Sequence, residues 1–248
     1  FMVIDEFIKE PRIAYFSMEI GIRHEMHTYS GGLGILAGDT LKSAADLRIP
    51  VVGITLIHRM GYFHQEIDPF GRQTEHPDPW DIDKFLKKLD VLISVTIDGK
   101  PVYVTAWLYV IESTTGGRVP VIFLDTDVPE NSPENRTLTY YLYGGDLTYR
   151  FKQEIVLGMG GVRILNELGF EIKKYHMNEG HSSLLTIELL NRYKRPVEEV
   201  WSEELVWDIE KVRNLCVFTT HTPVEAGHDR FPYELAQMIL GEPVPLWL

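Results

Sequence analysis

Two hydrophobic rhythms alternate along the chain. Residues 12–17 read as a short buried strand, 173–177 and 215–220 as further strands, and the nearly continuous apolar run 51–56 suits a parallel strand covered on both faces. Between them lie stretches of helical spacing. Across 145–168, Leu147, Phe151, Ile155, Met159, Val162 and Leu165 recur every three or four residues and predict one amphipathic helix ending at Gly169. Gly158, Gly160 and Gly161 inside it each weaken a helix by about 1 kcal/mol relative to alanine, which close packing against the sheet would offset. Further helices are expected at 40–47, 182–190 and, with an acidic sequence, about 198–214.

Residues 91–97 and 101–109 flank Asp98-Gly99, a dipeptide that favours the type I′ hairpin turn, and 119–124 adds a third strand. These predict a local antiparallel patch, a hairpin insertion over about 91–125, in an otherwise βαβ-ordered chain. Segment 60–73 mixes aromatics with amides and acids around turn residues and reads as a loop built for display. The whole pattern predicts an α/β fold with a doubly wound, mostly parallel sheet, and residues 1–248 form one domain. At 241–248, two prolines and an apolar end read as a passage to further polypeptide.

Charge narrows the partners. A formal net charge of −12 argues against nucleic acid or an anionic membrane, which draw on clustered Lys and Arg. The acids near the N-terminus do not suit a signal peptide, and no apolar run approaches the about 20 residues of a membrane helix. Cys216, the one cysteine, excludes an intramolecular disulfide and reads as core filler within Leu215-Cys216-Val217-Phe218. A cytoplasmic protein is expected.

Candidate chemistry gathers at the predicted strand ends. Gly31, Gly32 and Gly34 remove the side chains that would keep a ligand from the main chain, so successive N–H groups can cradle an anion ahead of a helix. Glu19 follows the first strand. Asn178-Glu179-Gly180-His181 follows the strand at 173–177, and His221-Thr222-Pro223 with Glu225-Ala226-Gly227-His228 follows the last. Open α/β sheets place ligands at such ends, and imidazole, amide and carboxylate together suit a ligand rich in hydroxyl groups. Other readings were weighed on the same residues. Gly32-Leu33-Gly34-Ile35-Leu36-Ala37 fits G-x-G-x-x-A, but residues 23–29 make a poor preceding strand for a dinucleotide fold. His24 and His27 lack a third ligand at metal spacing, so no metal is expected. Glu19 and Glu179 could form the carboxylate pair of a glycoside hydrolase. His176 and His228 read equally as structural histidines, and Tyr62, Phe63 and Trp80 as packing or as sugar-stacking groups.

Taken in order, Tyr15-Phe16-Ser17-Met18-Glu19, Ser30-Gly31-Gly32-Leu33-Gly34-Ile35-Leu36-Ala37-Gly38-Asp39, Asn178-Glu179-Gly180-His181 and Phe218-Thr219-Thr220-His221-Thr222-Pro223 resemble the N-terminal half of the α-glucan (glycogen, starch or maltodextrin) phosphorylases, in their short bacterial and archaeal branch. The resemblance covers about residues 12–231. It implies the Rossmann-like N-terminal domain of a GT-B glycosyltransferase that uses inorganic phosphate to release glucose 1-phosphate from an α-1,4-glucan with retained configuration. It implies pyridoxal phosphate acting through its phosphate group, attached to a lysine of a C-terminal domain absent from this chain, so the chain alone would be an incomplete, inactive half. By resemblance His221 is catalytic, touching the transferring glucose through its side chain and carbonyl. Glu19, Gly31, Gly32, Leu33, Gly34, Asn178, Glu179 and His181 would bind substrate, with the Gly32 backbone near the cofactor. The implied partners are α-glucan, inorganic phosphate and the C-terminal domain, and a homo-oligomer stays open. One departure stands out: larger members carry a Tyr-Met-Gly-Arg-like run after the matching glutamate, where this chain has Ile20-Gly21-Ile22-Arg23. The alternatives are a glycogen or starch synthase using nucleotide-glucose, whose Gly-Gly-Leu loop follows a lysine where Tyr29-Ser30 stands here, and a non-catalytic carbohydrate-binding module.

Overall fold

The computed structural model describes residues 2–202 and 206–245. Among the described residues ten strands occur in chain order: β1 Ile13–Phe16, β2 Val51–Leu56, β3 His64–Ile67, β4 Gln73–His76, β5 Lys87–Lys88, β6 Ile93–Ile97, β7 Lys100–Glu112, β8 Arg118–Asp125, β9 Lys174–Asn178 and β10 Cys216–Thr219. Eight form one sheet in the order β10-β9-β1-β2-β8-β7-β5, with β6 also on β7, while β3 and β4 pair apart as a hairpin. Neighbours from β10 through β8 are parallel. β7 runs antiparallel to β8, β5 and β6. The antiparallel strands thus extend the main sheet, since β8 is paired to β2 on one side and to β7 on the other.

Helices α1 Gly32–Asp46, α2 Leu147–Ile155, α3 Gly161–Glu167, α4 Leu185–Arg192, α5 Ile209–Leu215 and α6 Tyr233–Leu240 cover the sheet. Each residue of β2 is buried, as its unbroken apolar run requires. On one face Ala37, Leu41, Ala44 and Ala45 of α1 join a core with Tyr15, Val51 and Phe123. On the other, Phe151, Ile155, Val162 and Leu185 meet Phe16, Ile54 and Ile122. The expected helix over 145–168 is one helical run interrupted by a π segment, Val156–Gly160, between α2 and α3, capped by the Asp146 carboxylate at its start. Gly161 backs onto Phe16 and Ile54, and Gly158 onto the main chain at Ser182 and Leu185. Close packing offsets both glycines. Gly169, at φ +90°, ends the run.

Three expectations need correction. α1 begins at Gly32, not near Thr40, so the glycines lie in its first turns, and none of Gly31, Gly32, Gly34 and Gly38 has a positive φ. Residues 60–73 include a hairpin strand and the turn toward the next, and β3 and β4 are exposed on both faces, which erases the alternation that marks a strand. The acidic helix about 198–214 is reduced to α5, which starts at Ile209 under the Asp208 cap; part of that stretch, residues 203–205, lies outside the described residues, as does the apolar end 246–248. Among the described residues no helix is long and apolar enough to cross a membrane.

Strand β10 ends the sheet, with Val217 41% and Phe218 54% exposed. Apolar edges of this kind pair with other chains. The isolated chain is therefore expected to self-associate through β10, and Phe218→Lys to shift sedimentation velocity toward monomer; unchanged association would show that β10 is not the contact.

Candidate active-site cleft

The sheet order reverses at β1, whose chain continues to β2 on one side while β9 and β10 return on the other. That reversal opens a crevice at the strand ends, where doubly wound sheets hold ligands. A cleft of about 300 Å³ lies there, lined by Glu19, Leu33, Glu179, His181, Thr222 and Gly227 together with Tyr62, Tyr143, Arg150 and Asp229.

Glu19, just past β1, ties the crevice to α1. Its buried Oε2 accepts the N–H groups of Ser30 at 2.6 Å and Gly31 at 3.2 Å, while Oε1 accepts the Tyr143 hydroxyl at 2.8 Å. Burial and the Glu19 carboxylate push the Tyr143 phenol up, so it stays a donor. With the Ser30 and Gly31 donors taken, the first-turn N–H groups of Gly32, Leu33 and Gly34 remain without intrahelical acceptors, as in any helix. Space is open around Gly31 and Gly32, whereas a Cβ on Gly34 would stand 2.8 Å from Glu19 Oε2. The expected glycine cradle therefore divides: two glycines face open space and one is a packing position. After Glu19, Gly21 donates its N–H to Gly34 O at 2.7 Å, so the departure from the larger family members falls where the chain docks against α1.

The loop after β9 engages the loop after β10. Glu179 Oε1 accepts the N–H groups of His221 (2.8 Å) and Thr222 (2.9 Å) and the Thr222 hydroxyl (2.9 Å). Oε2 accepts the Thr220 hydroxyl at 3.0 Å. Burial alone would raise this carboxyl, but the donors from His221, Thr222 and Thr220 hold it down to about 2. Glu179 has φ +63° and ψ −174°, a region costing about 1–3 kcal/mol outside glycine, which that set of hydrogen bonds offsets. Asn178 is buried and links Ser17 Oγ to His221 Nε2. His181 is buried, which lowers its pKa against the pull of Asp229, Glu19 and Glu179, and its buried Nδ1 has no hydrogen-bond partner among the described residues.

Arg150 donates to Asp229 at 2.9 Å and to the Tyr143 carbonyl at 3.3 Å. Sequence reasoning missed Tyr143, Arg150 and Asp229; the only signal was Gly144-Gly145-Asp146, a helix entry next to a tyrosine-rich stretch. Tyr62 reaches the cleft, Trp80 is buried, and Tyr62 and Phe63 lie 4.0 Å apart, centroid to centroid. His228 contacts the Thr222 carbonyl, and His176 bonds the Thr219 hydroxyl. The exposed His24 meets Glu25, while His27 meets Asp78, so these two do not converge. Cys216 is half-buried against the core, and burial pushes its thiol up to about 11. The two carboxylates weighed as a hydrolase pair are each engaged by donors of their own loops, and the ionised Glu179 is a poor proton donor.

Residues 21–132 match the sequence model of the family described as carbohydrate phosphorylase. Over 246 residues, 94% of this chain, the sequence is 42% identical to the maltodextrin phosphorylase of Thermococcus litoralis. The chain carries a carbohydrate phosphorylase segment, and nearly all of it is similar to phosphorylases. Other phosphorylase relatives agree: the glycogen phosphorylase of Mycobacterium tuberculosis is 41% identical over 93% of the chain, and that of Aquifex aeolicus 32% over 92%. The chain spans 28, 27 and 32% of the respective lengths of these three relatives.

Proposed function

We propose that this chain forms the glucan-facing part of an α-glucan phosphorylase of GT-B architecture, acting with a second, cofactor-bearing domain on α-1,4-glucan and inorganic phosphate. The observation that carries the reading is the meeting of Glu19, the α1 N-terminus, His181 and the Thr222 loop in one polar cleft at the sheet's reversal point. A cleft of this size sits at the lower end of small-ligand pockets. In it, the free first-turn amides of α1 bind the phosphate side of the reaction, where the helix dipole favours an anion. His181, which lines the cleft, binds a sugar hydroxyl. Glu19 holds the α1 turn in place, and the His221 carbonyl and ring meet the transferring glucose, whose oxocarbenium-like transition state needs nearby dipoles.

Pyridoxal phosphate fits these residues only in part. The α1 N-terminus suits a phosphate group, but among the described residues no lysine lines the cleft, so these residues offer no attachment for the cofactor's aldehyde.

Given maltodextrin, phosphate and pyridoxal phosphate, the isolated chain is expected to yield no glucose 1-phosphate. Joined to the remainder of a phosphorylase relative it should do so, and His221→Ala in that protein should lower kcat by about 10²–10³-fold, the range for losing one transition-state dipole. Turnover by the chain alone without the cofactor, or saturable transfer from nucleotide-glucose, would overturn the reading.

A further inference from the structure

We infer that Asn178 and Glu179 are positioning residues for His221: the first fixes which ring nitrogen carries the proton, the second fixes the path of the main chain. The assignment of direction begins at the far end of a relay. The Glu19 carbonyl can only accept, so Ser17 Oγ, 2.7 Å away, spends its one proton on it. Ser17 Oγ must then accept from the Asn178 amide nitrogen at 3.1 Å. That turns Asn178 Oδ1 toward His221, and Nε2, at 2.8 Å, must donate to it. The neutral ring thus keeps its proton on Nε2 and its lone pair on Nδ1.

Glu179 does not draw the ring proton to Nδ1. Its Oε1 lies 3.5 Å from Nδ1 and is already filled by three donors from His221 and Thr222. The carboxylate instead holds two successive amides of the loop, against the unusual backbone of Glu179 itself. Nδ1 is therefore the ring atom left to accept a hydroxyl; this last point rests on the proposed sugar-binding role of His221, while the relay and the clamp do not.

The test uses the 248-residue chain, labelled with ¹⁵N, and no sugar. Long-range proton–nitrogen correlations of neutral His221 should show the proton on Nε2, and Asn178→Leu should bring in the Nδ1–H form. A wild-type ring protonated on Nδ1, or a tautomer untouched by Asn178→Leu, would overturn the relay. Glu179→Ala should speed hydrogen exchange of the His221 and Thr222 amides by about ten- to a hundredfold, as expected for losing a charged acceptor. Glu179→Gln, whose amide oxygen still accepts, should keep them within about tenfold of wild type. Equal exchange in wild type and Glu179→Ala would overturn the clamp. None of these outcomes depends on phosphorolysis, so their failure is separable from failure of the proposed activity.

Discussion

Gly38→Ala should destabilise the protein by about 3 kcal/mol in denaturant unfolding, whereas Gly32→Ala should cost nothing measurable. A Cβ on Gly38 would overlap the Gly21 carbonyl oxygen, a backbone atom that cannot rotate aside. A Cβ on Gly32 would meet no heavy atom within 4 Å beyond its chain neighbours and the backbone of its own helix. Helix propensity works the other way at both sites, favouring alanine by up to about 1 kcal/mol, but steric overlap in a packed interior exceeds it. The damage at Gly38 also reaches the cleft, because Gly21 holds Gly34 and the same turn carries the amides bound by Glu19. Equal stabilities for the two variants would show that clearance between α1 and residues after β1 does not set the helix position.

The second large effect concerns Glu154, buried near the inner end of α2. Burial, aided by Asp229 and opposed by Arg150, pushes its carboxyl up to about 9. The folded protein therefore holds this group protonated where the unfolded chain has released the proton. Its contribution is fully present below the ordinary carboxyl pKa of 4.5 and is lost as pH rises toward 9. At neutral pH the loss amounts to about 3 kcal/mol. Glu154→Gln, which keeps a neutral polar group in place, should match wild type near pH 4.5 and exceed it by a few kcal/mol near pH 8, read as a rising gap between their unfolding midpoints. A constant gap across that range would refute the protonated carboxyl. His58 imposes the opposite slope at lower pH. Burial lowers it from 6.5 to about 4 against its bond to the Met18 carbonyl, so stability falls as pH drops through that interval. The two trends oppose each other between pH 4.5 and 6.5 and separate above it.

Much of this arrangement could be read from the residues alone, for specific reasons. β1, β2 and β10 are largely apolar runs, and the Asp98-Gly99 turn takes positive φ at both residues as its sequence requires. Glu19, Asn178, Glu179, His181 and His221 could be singled out because each lies at or past a strand end in the chain, and of these Glu19, Glu179 and His181 line the cleft. The start of α1 was hidden by its glycines, whose poor helix propensity is outweighed by the need for Gly34 and Gly38 to pass close to neighbouring groups. β3 and β4 carry no buried face to betray them. Tyr143 and Arg150 reach the cleft from the far side of the fold, and Asp229 is set opposite Arg150 only by tertiary approach. The direction in which Glu179 spends its carboxylate is likewise invisible in a string of letters, since Asn178-Glu179-Gly180-His181 looks the same whether it faces a ligand or the next loop.

The wide turn between α2 and α3 ties chain length to the geometry of the cleft. Spacings of four residues from Leu147 through Met159 drift around a regular helix, and Val156–Gly160 absorbs that drift before the spacing returns to three. Deleting one residue there would rotate everything downstream by about 100°. Gly161 would swing away from Phe16, and the flat surface at Gly158 that seats the His181 turn would point elsewhere. Substitutions in this stretch change only local contacts, but an insertion or deletion changes the phase of the helix, so the number of residues here is under tighter constraint than their identity.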